Sequence, residues 1–210
     1  IDGVHFTQRR PVAVAIDDEG IVPAALDAAC TVSGAKLLFL VPTLQNPTNA
    51  VMSLERRKAI VEVARQHDLL LVEDDVYGYL VQDRPPPIAS LAPERTIYIT
   101  SASKCLAPGL RVAWVTAPRT RLLRLAEAAR VITVTQPGLT GAVASQWIED
   151  GRAEDLLQWQ RRETAARYEI AAQQLAGLDW HGHEAAYHVL LNLPAPWRAR
   201  AASRSARSAP

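Results

Sequence analysis

Lysine is scarce in this chain. Lys36, Lys58 and Lys104 stand against 20 arginines in 210 residues. A chain so biased uses arginine wherever a plain positive charge suffices. A lysine amine, unlike a guanidinium, can lose its proton and attack a carbonyl to form a Schiff base, so each lysine is a candidate nucleophile. Cysteine is scarcer still. Cys30 and Cys105 make neither a disulfide framework nor a metal-ligand spacing, which suits a reducing compartment and a cytoplasmic protein. No apolar run reaches the roughly 20 residues of a membrane span. The net charge is only +1, so no strong field points to nucleic acid or to a membrane surface. The chain begins at Ile1 rather than Met, and the lack of a signal peptide therefore decides nothing. What is plentiful is apolar: 49% of residues are hydrophobic, enough for the core of one domain or one and a fraction.

Periodicity gives the expected elements. Residues 11–16 alternate and read as a strand, Asp17-Asp-Glu-Gly20 as a turn and residues 23–30 as a helix. Residues 36–41 are continuously apolar, the mark of a strand buried on both faces. Ser53 is placed to cap a helix running to about residue 67, with Leu54, Ile60, Val61, Val63 and Ala64 on one face and the arginines and glutamates elsewhere. Strands are expected at 69–73, 96–100, 112–116 and 187–193. Helices are expected at about 119–130, 140–148 and 153–175, and Gly177 ends the last of them. Strands alternating with helices predict an α/β fold with a mostly parallel sheet. The division expected is a large domain at 1–176, the start of a smaller one at 177–197, and a low-complexity Arg/Ala/Ser tail at 198–210. The tail cannot build a core, and its composition reads as sequence foreign to the rest, such as a frame-shifted ending.

In open parallel sheets, ligands sit at the carboxyl ends of the strands. Three strands here end in polar groups. Asn46 follows the first, Asp74 and Tyr77 the second, and Ser101, Ser103 and Lys104 the third. The last three lie in Ser101-Ala-Ser-Lys-Cys-Leu-Ala-Pro-Gly-Leu-Arg111, where a Pro-Gly turn leads to an arginine suited to an anion. An amine, a carboxylate, a phenol, an amide and a phosphate cradle in one crevice match the needs of pyridoxal 5'-phosphate.

Gln45-Asn-Pro-Thr48, Asp74-x-x-Tyr77 and Ser101-x-Ser-Lys104 with Arg111 resemble the motifs of fold-type I, class I/II aminotransferases. By that resemblance Lys104 is the Schiff-base lysine, Asp74 partners the pyridine nitrogen, Asn46 and Tyr77 hold the 3-oxygen, and Ser101, Ser103 and Arg111 take the phosphate. Val72-Glu-Asp-Asp-Val-Tyr-Gly78, Leu91-Ala-Pro-Glu-Arg-Thr96, Trp147-Ile-Glu-Asp-Gly151 and Tyr187-His188 with Pro194-Ala-Pro-Trp197 are further similar to the aminotransferase-like domain of MocR-type transcriptional regulators, which follows a GntR-type winged-helix domain. The order and spacing of these motifs are more specific than any one of them. The resemblance implies the large-domain core of an aspartate aminotransferase-like fold, truncated at both ends, and a homodimeric full-length parent. DNA would be met only through a winged-helix domain not present here. Asn49 stands where many of these enzymes have glycine, and asparagine also tolerates left-handed backbone angles.

Ser101-x-x-Lys104 also fits a serine acyl-enzyme motif, but the S-D-N and K-T-G that should accompany it are missing. His181-Gly-His183 lacks a third ligand and reads as a solvated turn. His188 reads as packing, and Trp114, Trp147 and Trp159 as core. Three functions stay open: an aminotransferase acting on an amino acid and a 2-oxo acid, a pyridoxal phosphate or amino-acid sensor with little turnover, and an inactive remnant.

Overall fold

The computed structural model describes residues 8–133 and 138–197, and the low-complexity run at 198–210 lies outside them. The expected strand at 11–16 forms only at its end. There β1 (Ile16–Asp17) pairs antiparallel with β2 (Gly20–Ile21) across the Asp18-Glu19 turn. Asp17 Oδ1 accepts the Glu19 N–H at 2.9 Å, and Gly20 takes φ +98°, an angle that suits glycine. Pro11 can donate no ladder bond, and residues 11–15 pair with no strand among the described residues.

Helix α1 (Pro23–Ser33) starts on a proline, which fits the first turn, and stops at Gly34 in the left-handed conformation. Strand β3 (Leu37–Leu40) follows, then α2 (Leu54–Gln66). Ser53 caps α2 as expected, its hydroxyl accepting the Arg56 N–H at 3.2 Å. Strand β4 (Leu70–Asp74) leads through a 3₁₀ turn at Gly78–Leu80 to the one-turn helix α3 (Ile88–Leu91) and to β5 (Thr96–Ser101). A second single turn, α4 (Ala102–Cys105), and a 3₁₀ turn at Pro108–Leu110 connect to β6 (Ala113–Thr116). The sheet order is β3-β4-β5-β6, with the first three strands parallel and β6 antiparallel to β5. Helices α5 (Arg119–Thr133), α6 (Gly138–Glu149) and α7 (Arg152–Gln174) follow. Gly177 (φ +82°) turns the chain into the hairpin of β7 (Trp180–His181) and β8 (Leu190–Leu191).

Two apolar clusters hold this frame. Leu26, Leu38, Leu40, Ile60, Val61, Ala64, Leu71 and Ile88 pack α1 and α2 onto one sheet face. Leu44, Tyr77, Leu80, Ala102, Leu106, Leu110, Ala144 and Leu157 form the second cluster, beyond the carboxyl ends of β3, β4 and β5. Each loop that leaves a parallel strand thus sends an apolar anchor into it, which fixes the polar residues between the anchors.

The other sheet face corrects several expectations. Leu37 and Phe39 are each 56% exposed, so β3 is covered on one side and not two. Trp114 on β6 and Trp159 on α7 are exposed, and only Trp147 joins a core. β3 and β6 are the edges of the sheet, and Leu37, Phe39 and Trp114 on them are open to solvent. Of the strand expected at 187–193 only Leu190–Leu191 pairs. Tyr187 and His188 turn instead toward the strand ends.

Candidate active site at the strand carboxyl ends

Register places the polar residues side by side. Leu40 pairs with Glu73, Asp74 with Ile99, and Ser101 with Ala113. The loops carrying Asn46, Asp74 with Tyr77, and Ser101 with Lys104 therefore leave adjacent strands in the same direction. Ser101 ends β5 and caps α4, its Oγ accepting the Ser103 N–H at 3.3 Å. This cap turns the chain back within one turn and sets Lys104 over the neighbouring loop. Ala102 N–H donates to Val112 O at 3.0 Å and closes the stretch from Ala102 to Val112 as one loop. Arg111 ends it in a left-handed conformation (φ +55°), exposed to solvent.

Tyr77 is the floor of the site. It is 8% exposed, and Lys104 Nζ lies 5.5 Å from its ring centroid, a cation–π approach. Asp74 is half-buried, and its Oδ1 accepts the Val76 N–H at 3.3 Å. Burial pushes its carboxyl above the ordinary aspartate range, and the neighbouring Asp75 charge adds to this, while the Val76 hydrogen bond opposes it. Asn46 lies exposed in the loop after β3. Asn49 adopts φ +63°, the left-handed angle its position required. The structure thus gathers Ser101, Ser103, Lys104, Asp74 and Tyr77, with Asn46 and Arg111 at the open rim. Among the described residues no hydrogen bond joins Asn46, Asp74, Lys104 or Arg111 to another of these seven.

Beneath the site runs a buried ionic frame that sequence reading missed. Arg57 was expected away from the apolar face of its helix, yet it is fully buried. Its guanidinium donates to Met52 O at 3.0 Å, Pro42 O at 3.1 Å, Thr43 Oγ1 at 2.9 Å and Pro86 O at 3.2 Å, and stands 3.9 Å from Glu73. Glu73, also fully buried, accepts the Ile88 and Ala89 N–H groups at 2.9 and 2.8 Å. Two residues on, buried Asp75 accepts the Tyr98 hydroxyl at 2.7 Å and pairs with Arg84. Asp74 thus sits between two carboxylates whose side chains point into the protein and are held there. Alternation along a strand explains this: Glu73 and Asp75 face one side and Asp74 the other. The run of three acids was visible in the sequence, but nothing local marked Arg57 as their inward partner.

The hairpin supplies the other missed residues. The Tyr187 hydroxyl lies 2.6 Å from Lys104 O and 2.9 Å from Gln160 Oε1, so one proton is shared between two acceptors. Asn49 Nδ2 donates to His188 O at 3.1 Å, and the His188 ring lies 6.1 Å from that of Tyr77. The pairing of Tyr187 with His188 in the sequence was the available signal.

Comparison with known proteins shows the family and the fold. The family described as aminotransferase class I and II matches residues 7–207. The chain is 31% identical, over 87% of its length, to an uncharacterised HTH-type transcriptional regulator of Bacillus subtilis (YdeF), of which it covers 40%. It is 32% identical, over 67% of its length, to an aromatic-amino-acid aminotransferase of Thermococcus litoralis, of which it covers 36%. An α-aminoadipate aminotransferase of Thermus thermophilus, solved with N-(5'-phosphopyridoxyl)-L-leucine, superposes with a TM-score of 0.83 at 27% identity, over 95% of this chain and 54% of that one. The chain therefore belongs to the class I and II aminotransferases. It carries their α/β fold and spans about half or less of the length of these relatives.

Proposed function

We propose that this chain is the lysine-bearing part of a pyridoxal 5'-phosphate-dependent aminotransferase domain, with Lys104 as the residue that bonds the cofactor aldehyde. The observation that carries the reading is the placement of Lys104 Nζ over the Tyr77 ring, one loop away from half-buried Asp74. The chemistry of the free groups fits the cofactor. Among the described residues the Ser103 hydroxyl and the Arg111 guanidinium have no partner and suit a phosphate. Asp74 keeps one carboxylate oxygen free to face a ring nitrogen. When bound, the cofactor supplies a carbonyl for the lysine and a ring that accepts electrons.

Each residue then has a physical task. Lys104 Nζ takes and returns the proton at the amino acid Cα as general base and acid. Asp74 holds a proton on the ring nitrogen by its charge. Tyr77 and Asn46 donate to the ring oxygen. Ser101, Ser103 and Arg111 hold the phosphate. In this reading residues 1–176 are part of the cofactor domain, residues 177–197 begin a second one, and the longer parent is a homodimer acting on an amino acid and a 2-oxo acid. A second reading is favoured by the similarity to a transcriptional regulator: the same site binds the same molecules as a sensor, with little turnover. Supplying amino donors and 2-oxo acids to the cofactor-loaded protein separates the two. Multiple turnovers support the enzyme. A spectral response without 2-oxo acid exchange supports the sensor. If Lys104→Ala still captures the cofactor, both readings are wrong.

A further inference from the structure

Lys104 stands on a turn whose end the local backbone leaves open. Helix α4 is one turn long. Ser101 caps its start, and the Leu106 and Ala107 N–H groups both donate to Ala102 O at 2.9 Å. The Lys104 carbonyl has no such local donor. Four residues on stands Pro108, which carries no N–H, and the Ala107 N–H is already spent on Ala102 O. An open carbonyl at a helix end calls for a partner. Here the partner comes from 83 residues away: the Tyr187 hydroxyl, on the hairpin, lies 2.6 Å from Lys104 O. Gln160 of α7 shares that hydroxyl, its Oε1 at 2.9 Å, while its Nε2 makes a longer bond to Leu106 O at 3.4 Å. Burial, with Cys105 and Tyr77 adding to it, pushes the Tyr187 phenol up to about 12, so the hydroxyl keeps its proton and stays a donor at neutral pH.

From this geometry we infer that Tyr187 is a positioning residue for Lys104, a role that rests on the cofactor reading above. It touches no reacting atom. It fixes the peptide from which the lysine side chain springs, through a bond to that residue's own carbonyl. Lys104 Nζ rests on the Tyr77 ring, 5.5 Å from its centroid, and takes its place there from the backbone that carries it. Two bonds seat the hairpin against the strand ends. One is that of Tyr187 to Lys104 O, and the other is that of Asn49 Nδ2 to His188 O at 3.1 Å. Of the two, the Tyr187 bond reaches the lysine. Loss of the Asn49 bond therefore loosens the hairpin alone, and loss of the Tyr187 hydroxyl loosens the lysine turn as well.

The test compares Tyr187→Phe, Asn49→Gly and Gln160→Glu with wild type. Phenylalanine keeps the ring and removes the hydroxyl. Glycine accepts the φ of +63° at position 49 and drops the bond to the hairpin. Glutamate matches Gln160 in size and accepts more strongly, so it draws the Tyr187 proton away from Lys104 O with the tyrosine still in place. Gln160→Met is its control, since it loses the same Leu106 bond without competing for the proton. Two quantities are read. One is the rate of pyridoxal phosphate capture, followed by visible absorbance and by borohydride trapping on Lys104. The other is amide hydrogen exchange at Leu106 and Ala107 in the cofactor-free protein. Tyr187→Phe should slow capture by about tenfold, the worth of one hydrogen bond to a carbonyl otherwise left bare, and should speed exchange at both amides by a similar factor. Gln160→Glu should move both quantities the same way, while Asn49→Gly and Gln160→Met should leave them near wild type. Unchanged capture and exchange in Tyr187→Phe overturn the role and leave Lys104 as the cofactor lysine. Equal losses in Tyr187→Phe and Asn49→Gly also overturn it, because the seating of the hairpin then explains both. If Tyr187→Phe does not fold, Gln160→Glu decides, and wild-type behaviour in it overturns the role. No capture by wild type overturns the cofactor reading and this role together.

Discussion

Replacing Arg57 by methionine should remove the stability of the floor on which the site is built. Methionine fills a similar volume, so the change reports on charge and hydrogen bonds more than on a cavity. The guanidinium satisfies three backbone carbonyls and one hydroxyl, and it stands against a carboxylate that is itself fully buried. Removing one member of such a pair costs about 3–5 kcal/mol, because the remaining charge is stranded. Against a total stability of about 5–15 kcal/mol that is a large share. With a urea slope of about 2 kcal/mol/M, the unfolding midpoint should fall by roughly 1.5–2.5 M. The pH dependence follows from the sign of the Glu73 shift. Burial raises the Glu73 carboxyl above the ordinary glutamate value of 4.5, and the Asp75 charge adds to this, while the Ala89 and Ile88 hydrogen bonds and Arg57 pull it down. A carboxyl raised in the folded state binds its proton more tightly there than in the unfolded chain. Its contribution to stability therefore falls as pH rises from about 4.5 through the folded value. Without Arg57 that value climbs further, so the penalty should grow between pH 5 and pH 8. Adding Glu73→Gln removes the stranded charge and keeps one acceptor for the α3 N–H groups, and it should recover part of the loss. Urea titrations of both variants at several pH values make the check. A loss under about 1 kcal/mol for Arg57→Met, or a double variant less stable than the single one, would refute the reasoning.

Other outcomes follow from neighbouring contacts. A Cβ on Gly78 would collide with the Asp75 carboxylate and the Arg84 guanidinium, so Gly78→Ala should destabilise by about 1–3 kcal/mol in a urea melt. Ser53→Ala removes the α2 cap and should cost about 1 kcal/mol by the same measurement. Because Asp74 is raised from 3.8 by burial, its contribution falls as pH climbs above about 4; Asp74→Asn should flatten that part of the stability profile of the cofactor-free protein and weaken cofactor capture. An Asn variant with an unchanged profile would mean the carboxyl is more solvated than its position implies.

Most of the frame could be read from periodicity because the signals are local. Ser53 caps its helix, Gly177 follows the end of the last long helix, and runs of β-branched and leucine residues form β3 to β5. The polar residues at the strand ends were legible because a parallel sheet brings consecutive strand ends together, whatever the intervening helices do. What failed was long-range. Nothing in a helical wheel says that Arg57 turns inward, since its partners Pro42, Thr43, Glu73 and Pro86 come from three other segments. Leu37 and Phe39 read as buried because an apolar side chain on an edge strand looks like any other in sequence.

The central claim is that Lys104 alone bonds the cofactor. The direct measurement is to mix the protein with pyridoxal phosphate, record the visible absorbance, reduce with borohydride and locate the modified residue by peptide mass spectrometry. The account predicts a visible band and a label confined to Lys104, both lost in Lys104→Ala. Labelling spread over Lys36 and Lys58, or no visible band, would contradict it.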